Sequence, residues 1–438
     1  MRCFFVVGLC WAVSLMWAGC DKSGNEQSRF VDDEGGDTGQ IDAGQADTGQ
    51  ADAGQADAGQ PDASTGEPPS PCGNTLGELC WTVEPSFSSD DLVGAYELAL
   101  ESDGTFYLLT NTVREVNGAP AWDTVEHRVE KYDASGVREW VRALDDGLKG
   151  TAIAVAPSGV VIAGANADDT LLVVRALDAA GTPLGDRTFE GISVGEVRSV
   201  AVDATGNILV VAVHDTLDER YNALLVKFNA GDGVAWSKSV DGPVSGSDVS
   251  HDLAVDAGGT VYWLLYEDNW PTSSPSVLRR YSPNGTLDWE TVVANTPWVL
   301  GLALDGLGNP VVAGADWSQE RASSFLFARK YDPNMEVVWT YEGADSTEAT
   351  SVAVDVDGSV RIAGYTRSGQ LVVTKLNAQG EEMWSRTVSA PQNSVSSFVD
   401  VACDRAGNTV VIGNRELHYF SLDNTGLGES VIVQKYSP

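Results

Sequence analysis

The chain has 438 residues, with 63 acidic and 27 basic side chains, and its net charge at neutral pH is −36. An excess of negative charge on this scale argues against nucleic acids and anionic lipid surfaces as partners, because their phosphates repel carboxylates. A chain of this length normally divides into several domains, unless repeated units stack without needing one large core.

The first predicted element is a secretory signal at residues 1–19. It has Arg2 near its start, an apolar run from Phe4 to Trp17, and small residues before Cys20. This arrangement is typical of an exported protein. The letters AGC that end at Cys20 resemble a bacterial lipobox, which implies that the cleaved Cys20 carries lipid; an ordinary signal peptide with a chance cysteine, or an uncleaved anchor, is the alternative. We therefore expect a lipoprotein anchored in the cell envelope, at the outer membrane or the cell surface.

Residues 20–70 are predicted to form an acidic, low-complexity tether. Asp recurs every fifth residue from Asp37 to Asp62, and the segment has 12 acidic and 2 basic residues. A period of five fits neither a helix nor a strand, and there is almost nothing apolar to bury, so we expect disorder. A coil of about fifty residues spans about 40 Å, enough to hold a domain away from a membrane. Calcium binding by the spaced carboxylates is the alternative, but no turn geometry holds them together.

Residues 71–438 are built from repeats of roughly fifty residues. Each repeat, such as Ser351–Val388, contains four short alternating strands with turn residues between them, which is the pattern of successive hairpins. No segment after the signal shows a helical period. A glycine in the first turn marks each of the seven repeats: Gly104, Gly159, Gly206, Gly259, Gly308, Gly358 and Gly407.

Three further residue types recur at fixed places in the repeats. An acidic residue such as Asp203 ends the first strand, a basic residue such as Lys227 lies near the end of the third, and a tryptophan follows nine residues later. We expect the acid to cap its turn rather than bind metal, because Asp accepts hydrogen bonds from nearby backbone amides. The tryptophans are expected to pack one repeat on the next, with the basic residues stacked on them. The second repeat lacks the tryptophan and has GTPLGDRTF in that stretch.

The stretch Gly77–Pro85, GELCWTVEP, has the pattern of a fourth strand but precedes the first repeat. The seventh repeat, in turn, ends after its third strand, at Ser430–Pro438. We predict that the N-terminal strand completes the last repeat and closes the array into a ring, which protects the strand edges. The predicted fold is all-β: a seven-bladed β-propeller whose last blade is completed by the N-terminal strand, preceded by a disordered tether.

The motifs AVDATGN, VTKLNAQG and GEEMW resemble the bacterial seven-bladed β-propeller repeat (SBBP-type) of secreted proteins. The resemblance covers about residues 76–438 and implies the fold; it implies no particular chemistry. DASGVREW, at Asp133–Trp140, is also similar to quinoprotein-like propellers and to the outer-membrane assembly lipoproteins built like them. That second resemblance implies a role as an envelope-assembly scaffold.

Cysteine and histidine usage predicts no cofactor site. In an exported chain Cys72 and Cys80 can form a disulfide across a short loop, which leaves Cys403 over. No Cys/His spacing predicts a metal site, and no acid–base or nucleophile–base signature predicts catalytic residues. We therefore expect no metal, no cofactor and no catalytic residue.

Tryptophans that the repeats do not explain are the best candidates for a ligand site. Trp270, Trp298 and Trp317 fall in predicted loops of adjacent blades, on one face of the ring, and Asp268 and Arg321 lie beside them. Aromatic side chains on loops of a rigid scaffold are typical of binding surfaces. The alternative is that these tryptophans cap the blade ends.

Three functions remain open on the sequence alone. The first is a non-enzymatic, monomeric module that binds a glycan or a protein at the cell envelope. The second is an envelope-assembly scaffold lipoprotein. The third is a propeller-type enzyme that acts on glycans, which would need an acid–base or nucleophile–base pair within reach of a substrate.

Overall fold

The structure is a computed structural model that describes residues between 72 and 438. The described ranges are 72, 75–87, 91–116, 119–121, 125–144, 147–215, 221–231, 233–241, 247–268, 274–318, 320, 322–388, 397–415, 419–420, 426–427 and 430–438. The predicted signal, the predicted tether and the predicted lipid site at Cys20 lie outside these ranges.

The described residues form 31 strands and no helix. The strands of the first half are β1 (Leu79–Val83), β2 (Asp91–Leu100), β3 (Phe106–Val116), β4 (Ala119–Pro120), β5 (Glu126–Tyr132), β6 (Arg138–Ala143), β7 (Lys149–Ala156), β8 (Gly159–Ala165), β9 (Leu172–Asp178), β10 (Pro183–Phe189), β11 (Ser193–Val202), β12 (Ile208–Asp215), β13 (Tyr221–Phe228), β14 (Val234–Val240), β15 (Val249–Val255) and β16 (Val261–Tyr266).

The strands of the second half are β17 (Ser276–Tyr281), β18 (Leu287–Ala294), β19 (Val299–Leu304), β20 (Pro310–Ser318), β21 (Ser323–Tyr331), β22 (Val337–Asp345), β23 (Thr347–Val354), β24 (Val360–Thr366), β25 (Leu371–Leu376), β26 (Glu382–Val388), β27 (Ser397–Cys403), β28 (Thr409–Arg415), β29 (Tyr419–Phe420), β30 (Gly426–Leu427) and β31 (Ser430–Tyr436).

These strands form seven antiparallel blades, numbered 1 to 7 along the chain. Blades 1 to 6 start at β2, β7, β11, β15, β19 and β23, and each contains four successive main strands. Blade 7 has the order β27, β28, β31, β1. The first strand of every blade contacts the first strand of the next, and β27 contacts β2, so the blades form a closed ring. The predicted seven-bladed β-propeller is confirmed.

The apolar side chains of the strands form a separate core between each pair of neighbouring blades. Seven such clusters follow one another around the ring, and each draws its residues from two adjacent blades. The largest fully buried aromatic side chains, among them Trp263 and Phe106, lie in these clusters. Because stability is distributed over interfaces, one long chain needs no single large core.

Strand β1 completes blade 7 in the register that the repeats predict. It pairs with β31 and places Trp81 opposite Lys435. In blade 6 the corresponding pair is Trp384 opposite Lys375. The closing strand therefore occupies the position of an ordinary fourth strand, although it lies at the other end of the chain.

The closing strand contacts both neighbouring blades. A Cβ atom built on Gly77 would lie 2.7 Å from the ring of Trp384 in blade 6, so that glycine packs directly on the indole. On the other side, Trp81 is 7% exposed and stacks on Phe106 of blade 1, with 5.7 Å between ring centroids. The prediction that the N-terminal strand closes the ring is thus confirmed by pairing and by packing.

Cys72 and Cys80 form a disulfide at the entry to the closing strand, with 4.6 Å between their Cα atoms. The bridge closes a short loop before and within β1 and does not cross between blades. Cys403 is a free thiol, and its burial raises its pKa to about 12. At neutral pH Cys403 is therefore protonated and poorly nucleophilic.

The repeat tryptophans dock each blade onto the next. The indole Nε1 atoms of Trp140, Trp236 and Trp339 each donate a hydrogen bond of 3.1 Å to a carbonyl in the last turn of the following blade. The glycine of that turn lies under the ring, because a Cβ atom built on Gly380 would come within 2.6 Å of Trp339. Glycine is required there by both the close approach and a φ of +83°.

The basic residue of the third strand pairs with the acid of the first turn rather than stacking on a tryptophan. Lys227 Nζ lies 3.1 Å from Asp203, and Lys330 Nζ lies 2.8 Å from Asp305. The expected cation–π contact is therefore wrong for these lysines. The turn-capping role of the acid is confirmed: Asp203 Oδ1 accepts hydrogen bonds from the backbone amides two and four residues later. Burial opposes ionisation of Asp203, but hydrogen bonds from the Asn207 and Thr205 side chains, from the Asn207 amide and from Lys227 outweigh it and hold its pKa below the usual range.

Candidate functional site

Trp298 and Trp317 are the two exposed tryptophans among the nine that the structure describes. Trp298 is 40% exposed and Trp317 is 55% exposed. The other described tryptophans are buried or half-buried in the cores between blades. Burying an aromatic side chain is strongly favourable, so two exposed indoles close together in the chain are typical of a surface that contacts a partner.

Both exposed tryptophans lie on one edge of blade 5. Trp298 immediately precedes β19, and its carbonyl accepts a hydrogen bond of 2.8 Å from the amide of Ala315 in β20. Trp317 follows two residues later on the same strand, so its side chain leaves the same side as Ala315. Trp317 was predicted to lie in a loop, but it lies within β20, where it pairs with Ser324. We call Trp298 and Trp317 the tryptophan edge.

Asp268 lies on the same face of the ring, in blade 4. It follows β16, and its backbone amide donates a hydrogen bond of 3.2 Å to Asp248. Its carboxylate accepts one of 3.4 Å from Ser274. The structure thus shows Asp268 at the base of its own loop. Trp270 and Arg321, the other predicted ligand residues, lie outside the described residues.

The tryptophan edge offers indole groups for non-covalent contacts. Indole rings offer flat apolar faces and one N–H donor, which suits stacking on a sugar ring or packing against a protein side chain. Near it, β20 and β21 are paired over their whole length, so the indoles are carried by a rigid sheet. Rigid presentation lowers the entropy lost on binding.

Three carboxyl groups that the sequence analysis missed lie around the centre of the ring. Glu97, Asp252 and Asp400, here called the inner carboxyls, come from the first strands of blades 1, 4 and 7. Each accepts a hydrogen bond from a backbone amide of the next blade, at 2.6, 2.8 and 3.0 Å, and the donors are Ile153, Leu302 and Leu98 respectively. The inner carboxyls therefore connect blades.

Burial makes the inner carboxyls weaker acids. It raises the pKa of Asp252 to about 7, although hydrogen bonds from the Leu302 amide and the Ser199 hydroxyl oppose the change. Burial also raises the pKa of Asp400. For Glu97, burial and the negative charge of Asp400 together raise the pKa well above its ordinary value. All three carboxyls around the axis of the ring thus have raised pKa values and keep their protons to a higher pH than exposed carboxyls do.

A common spacing marks these positions in three of the seven repeats. Each inner carboxyl stands four residues before the acid that ends its first strand, as Asp252 stands before Asp256. Beside it, burial and the charge of Arg198 lower the pKa of His251 to about 3, so the imidazole is neutral. Within the described ranges, no group of three or more His, Cys, Asp or Glu side chains is placed to hold a metal ion. The same ranges contain no helix that could span a bilayer.

Comparison with known proteins gives matches of fold only. No family model matches the chain, and no curated protein matches it. Similar solved structures include a protein of unknown function from Bacteroides caccae, with 14% identity, a TM-score of 0.41, and coverage of 59% of this chain and 89% of that one. The WD40 domain of Neurospora crassa Pan2 has 13% identity and a TM-score of 0.49, over 78% and 89% of the two chains.

A third similar structure is the β-propeller domain of the Trilobed protease from Pyrococcus furiosus, with 9% identity and a TM-score of 0.46 over 74% and 91% of the two chains. These similarities are too low to transfer an activity. The fold is instead shown by the strand order of this chain and by the contacts between its blades. The chain is a seven-bladed β-propeller closed by its N-terminal strand.

Proposed function

We propose that this protein is a non-enzymatic binding module, held at the cell envelope by lipid on Cys20, that engages a glycan or protein ligand through the tryptophan edge. The repeat motifs support its placement among SBBP-type propellers. The observation that carries the proposal is the exposure of Trp298 and Trp317 on one edge of blade 5. All other described tryptophans serve the packing of blades.

The net charge of the molecule limits the chemical classes of ligand that can approach it. Residues 71–438 carry a net charge of −27 once the signal and the tether are set aside. This charge disfavours polyanionic ligands, because their approach is repelled at long range. A neutral or weakly basic ligand with apolar surface fits the tryptophan edge best.

Among the described residues, the inner carboxyls are the strongest candidates for the catalytic groups of the enzyme alternative. Asp252, with a pKa of about 7, is in the range expected for a general acid or base. However, Oδ2 of Asp252 accepts the amide of Leu302, and Asp400 is bonded to Leu98 and Ser351. These bonds give the carboxyls a role in joining blades, so the binding proposal is preferred.

Replacement of Trp298 and Trp317 by Ala is expected to weaken binding to any glycan or protein ligand found by array or pulldown. The affinity should fall at least about tenfold, because exposed aromatic anchors dominate small interfaces. The melting temperature should change by no more than about 2 °C, since exposed side chains contribute little to stability. Surface plasmon resonance and calorimetry provide the two measurements.

Tyr221→Ala is the matched control, because Tyr221 is an exposed aromatic residue of blade 3, at the same end of the strands. It should leave both affinity and melting temperature unchanged. A large loss of stability in the tryptophan variant with unchanged binding would show that these residues only cap the blade ends.

The lipid anchor is tested by growth of expressing cells with radiolabelled palmitate. We expect label on the wild-type chain and none on Cys20→Ser, because Cys20 is the only cysteine at the lipobox-like site. Cys403→Ser is the control and should keep the label. Equal labelling of the wild type and Cys20→Ser, or the absence of label from both, would refute the anchor.

A further inference from the structure

Blade 2 lacks all three of the large side chains that recur at fixed places in the other blades. At the positions of the first-strand acid, the third-strand cation and the fourth-strand tryptophan it has Ala156, Ala176 and Gly185. The pairing supports this correspondence, because Ala176 lies opposite Gly185 as Lys375 lies opposite Trp384 in blade 6. A whole set of large side chains is therefore missing from one interface, that between blades 2 and 3.

A cleft of about 440 Å³ occupies the place of the missing side chains. Ala156, Ala176 and Gly185 line it from blade 2, and Val202 and Ile208 line it from blade 3. A Cβ atom built on Gly185 would meet no atom within 4 Å, whereas the docked tryptophans fill this position elsewhere. The volume falls within the range of about 300–1,000 Å³ that is usual for small-molecule sites.

The cleft keeps a cation at the position that Arg386 holds beside the docked indole of blade 6. In blade 6, Arg386 stands two residues after Trp384, donates to the carbonyl of Gly77 at 2.9 Å, and lies 5.6 Å from the indole centroid. In blade 2, Arg187 stands two residues after Gly185 and donates to the carbonyls of Ala230 and Gly231, at 2.7 and 3.0 Å. Arg187 is thus held as Arg386 is held, but no aromatic ring of the described residues stacks on its guanidinium.

We propose that the cleft between blades 2 and 3 binds a small, planar aromatic molecule of about the size of an indole. The apolar side chains of Val202 and Ile208 offer van der Waals contact with a ring. The guanidinium of Arg187 offers a cation–π contact on a ring face. The six docked tryptophans of the same fold show that this kind of cleft accepts a flat bicyclic ring.

This site is separate from the tryptophan edge and goes beyond the proposed function. The cleft is formed by the first and last turns of its blades, through residues such as Pro157 and Leu184. Trp298 and Trp317 lie at the opposite ends of the strands. The two surfaces are therefore on opposite faces of the ring, and a ligand in the cleft leaves the tryptophan edge free.

The test is titration of the full chain with indole, followed by saturation-transfer NMR and calorimetry. We expect saturable binding of one indole per chain, and binding of benzamide but not of the non-planar cyclohexanecarboxamide. Ala176→Phe and, separately, Ala156→Leu should lower the affinity at least about tenfold by filling the cleft, with no fall in melting temperature. Arg187→Gln should weaken binding several-fold.

Val338→Phe is the control, since Val338 is 55% exposed on the outer strand of blade 5, and it should not change the affinity for indole. Absence of saturable indole binding, or equal affinity of the wild type and both cleft-filling variants that remain folded, would overturn the proposal. Tenfold tighter binding of an extended tryptophan-containing peptide in the same cleft would also overturn it, in favour of a polypeptide ligand.

Discussion

Deletion of residues 71–85 is expected to destabilise the entire ring rather than to shorten a terminus. It removes β1, so the edge of β31 loses its partner and becomes open to intermolecular pairing. It also removes Trp81, whose truncation alone costs about 3–5 kcal/mol at a buried site. We expect residues 86–438 to melt far below residues 71–438 and to aggregate, as measured by calorimetry and size-exclusion chromatography.

Two controls separate the effect of the lost strand from the effects of the tether and of Trp81. Deletion of residues 21–70 should leave the melting temperature unchanged, because this predicted tether has little apolar surface to bury. Trp81→Ala in the intact chain should reproduce the loss of packing without opening the strand edge. If residues 86–438 prove as stable and as monomeric as residues 71–438, closure by β1 contributes nothing.

Arg361→Ala is expected to lower the free energy of unfolding by about 3–5 kcal/mol, the usual effect of removing one partner of a buried ion pair. Arg361 is fully buried and its Nη2 lies 3.0 Å from Asp355 and 2.7 Å from the carbonyl of Gly407 in blade 7. Its loss leaves the carboxylate of Asp355, 6% exposed, without this cation. Urea unfolding provides the measurement.

Arg367→Ala is the matched control in the same blade, because its ion pair with Glu348 is 3.3 Å long and its side chain is 44% exposed. Arg367→Ala should lower the free energy of unfolding by less than about 1 kcal/mol. Lys375 occupies the position from which other lysines reach the first-turn acid, so it could replace Arg361 as the partner of Asp355. Adding Lys375→Met to Arg361→Ala removes that replacement. Equal effects of Arg361→Ala and Arg367→Ala would contradict a structural role for the buried pair.

Most of the fold follows from the sequence because turn residues and tryptophans recur at fixed spacing. A glycine with positive φ, such as Gly358 at +81°, is needed wherever the first turn reverses, and so it marks every repeat. The letters around Trp81 repeat those around Trp384, which was sufficient to predict the closing strand. Turn and packing residues of this kind recur from blade to blade, and their recurrence allows the fold to be predicted from the sequence.

Side-chain pairing and the ends of strands were less predictable than the repeats, because both depend on three-dimensional neighbours. Lys227 was expected to stack on a tryptophan, but Asp203 lies within reach of its amine in the same blade, and the ion pair forms. Trp317 was expected in a loop, yet pairing with Ser324 extends β20 over it. Neither outcome follows from spacing alone.

The site was predictable only in part. Trp298 and Trp317 are exposed, and their role as ligand residues stays a prediction, whereas Trp270 and Arg321 lie outside the described residues. The inner carboxyls were missed because a register shift in the first strand, between Ser250 and Asp252 for example, decides where the acid points. Their regular spacing from the turn acid is visible in the sequence. The spacing alone does not show that the three carboxyls lie around the centre of a ring.

The most direct test of ring closure is a cross-link between the two ends of the chain. Thr82 and Gln434 are direct partners in the β1–β31 pair, and Gln434 Nε2 lies 3.4 Å from Thr82 Oγ1. In a Cys403→Ser background, Thr82→Cys with Gln434→Cys should form an intramolecular disulfide on mild oxidation, detected as one linked peptide by mass spectrometry. Thr82→Cys with Thr374→Cys, the corresponding position of blade 6, should not form it. Failure of the first pair to link, or equal linking of both pairs, would contradict the closed ring.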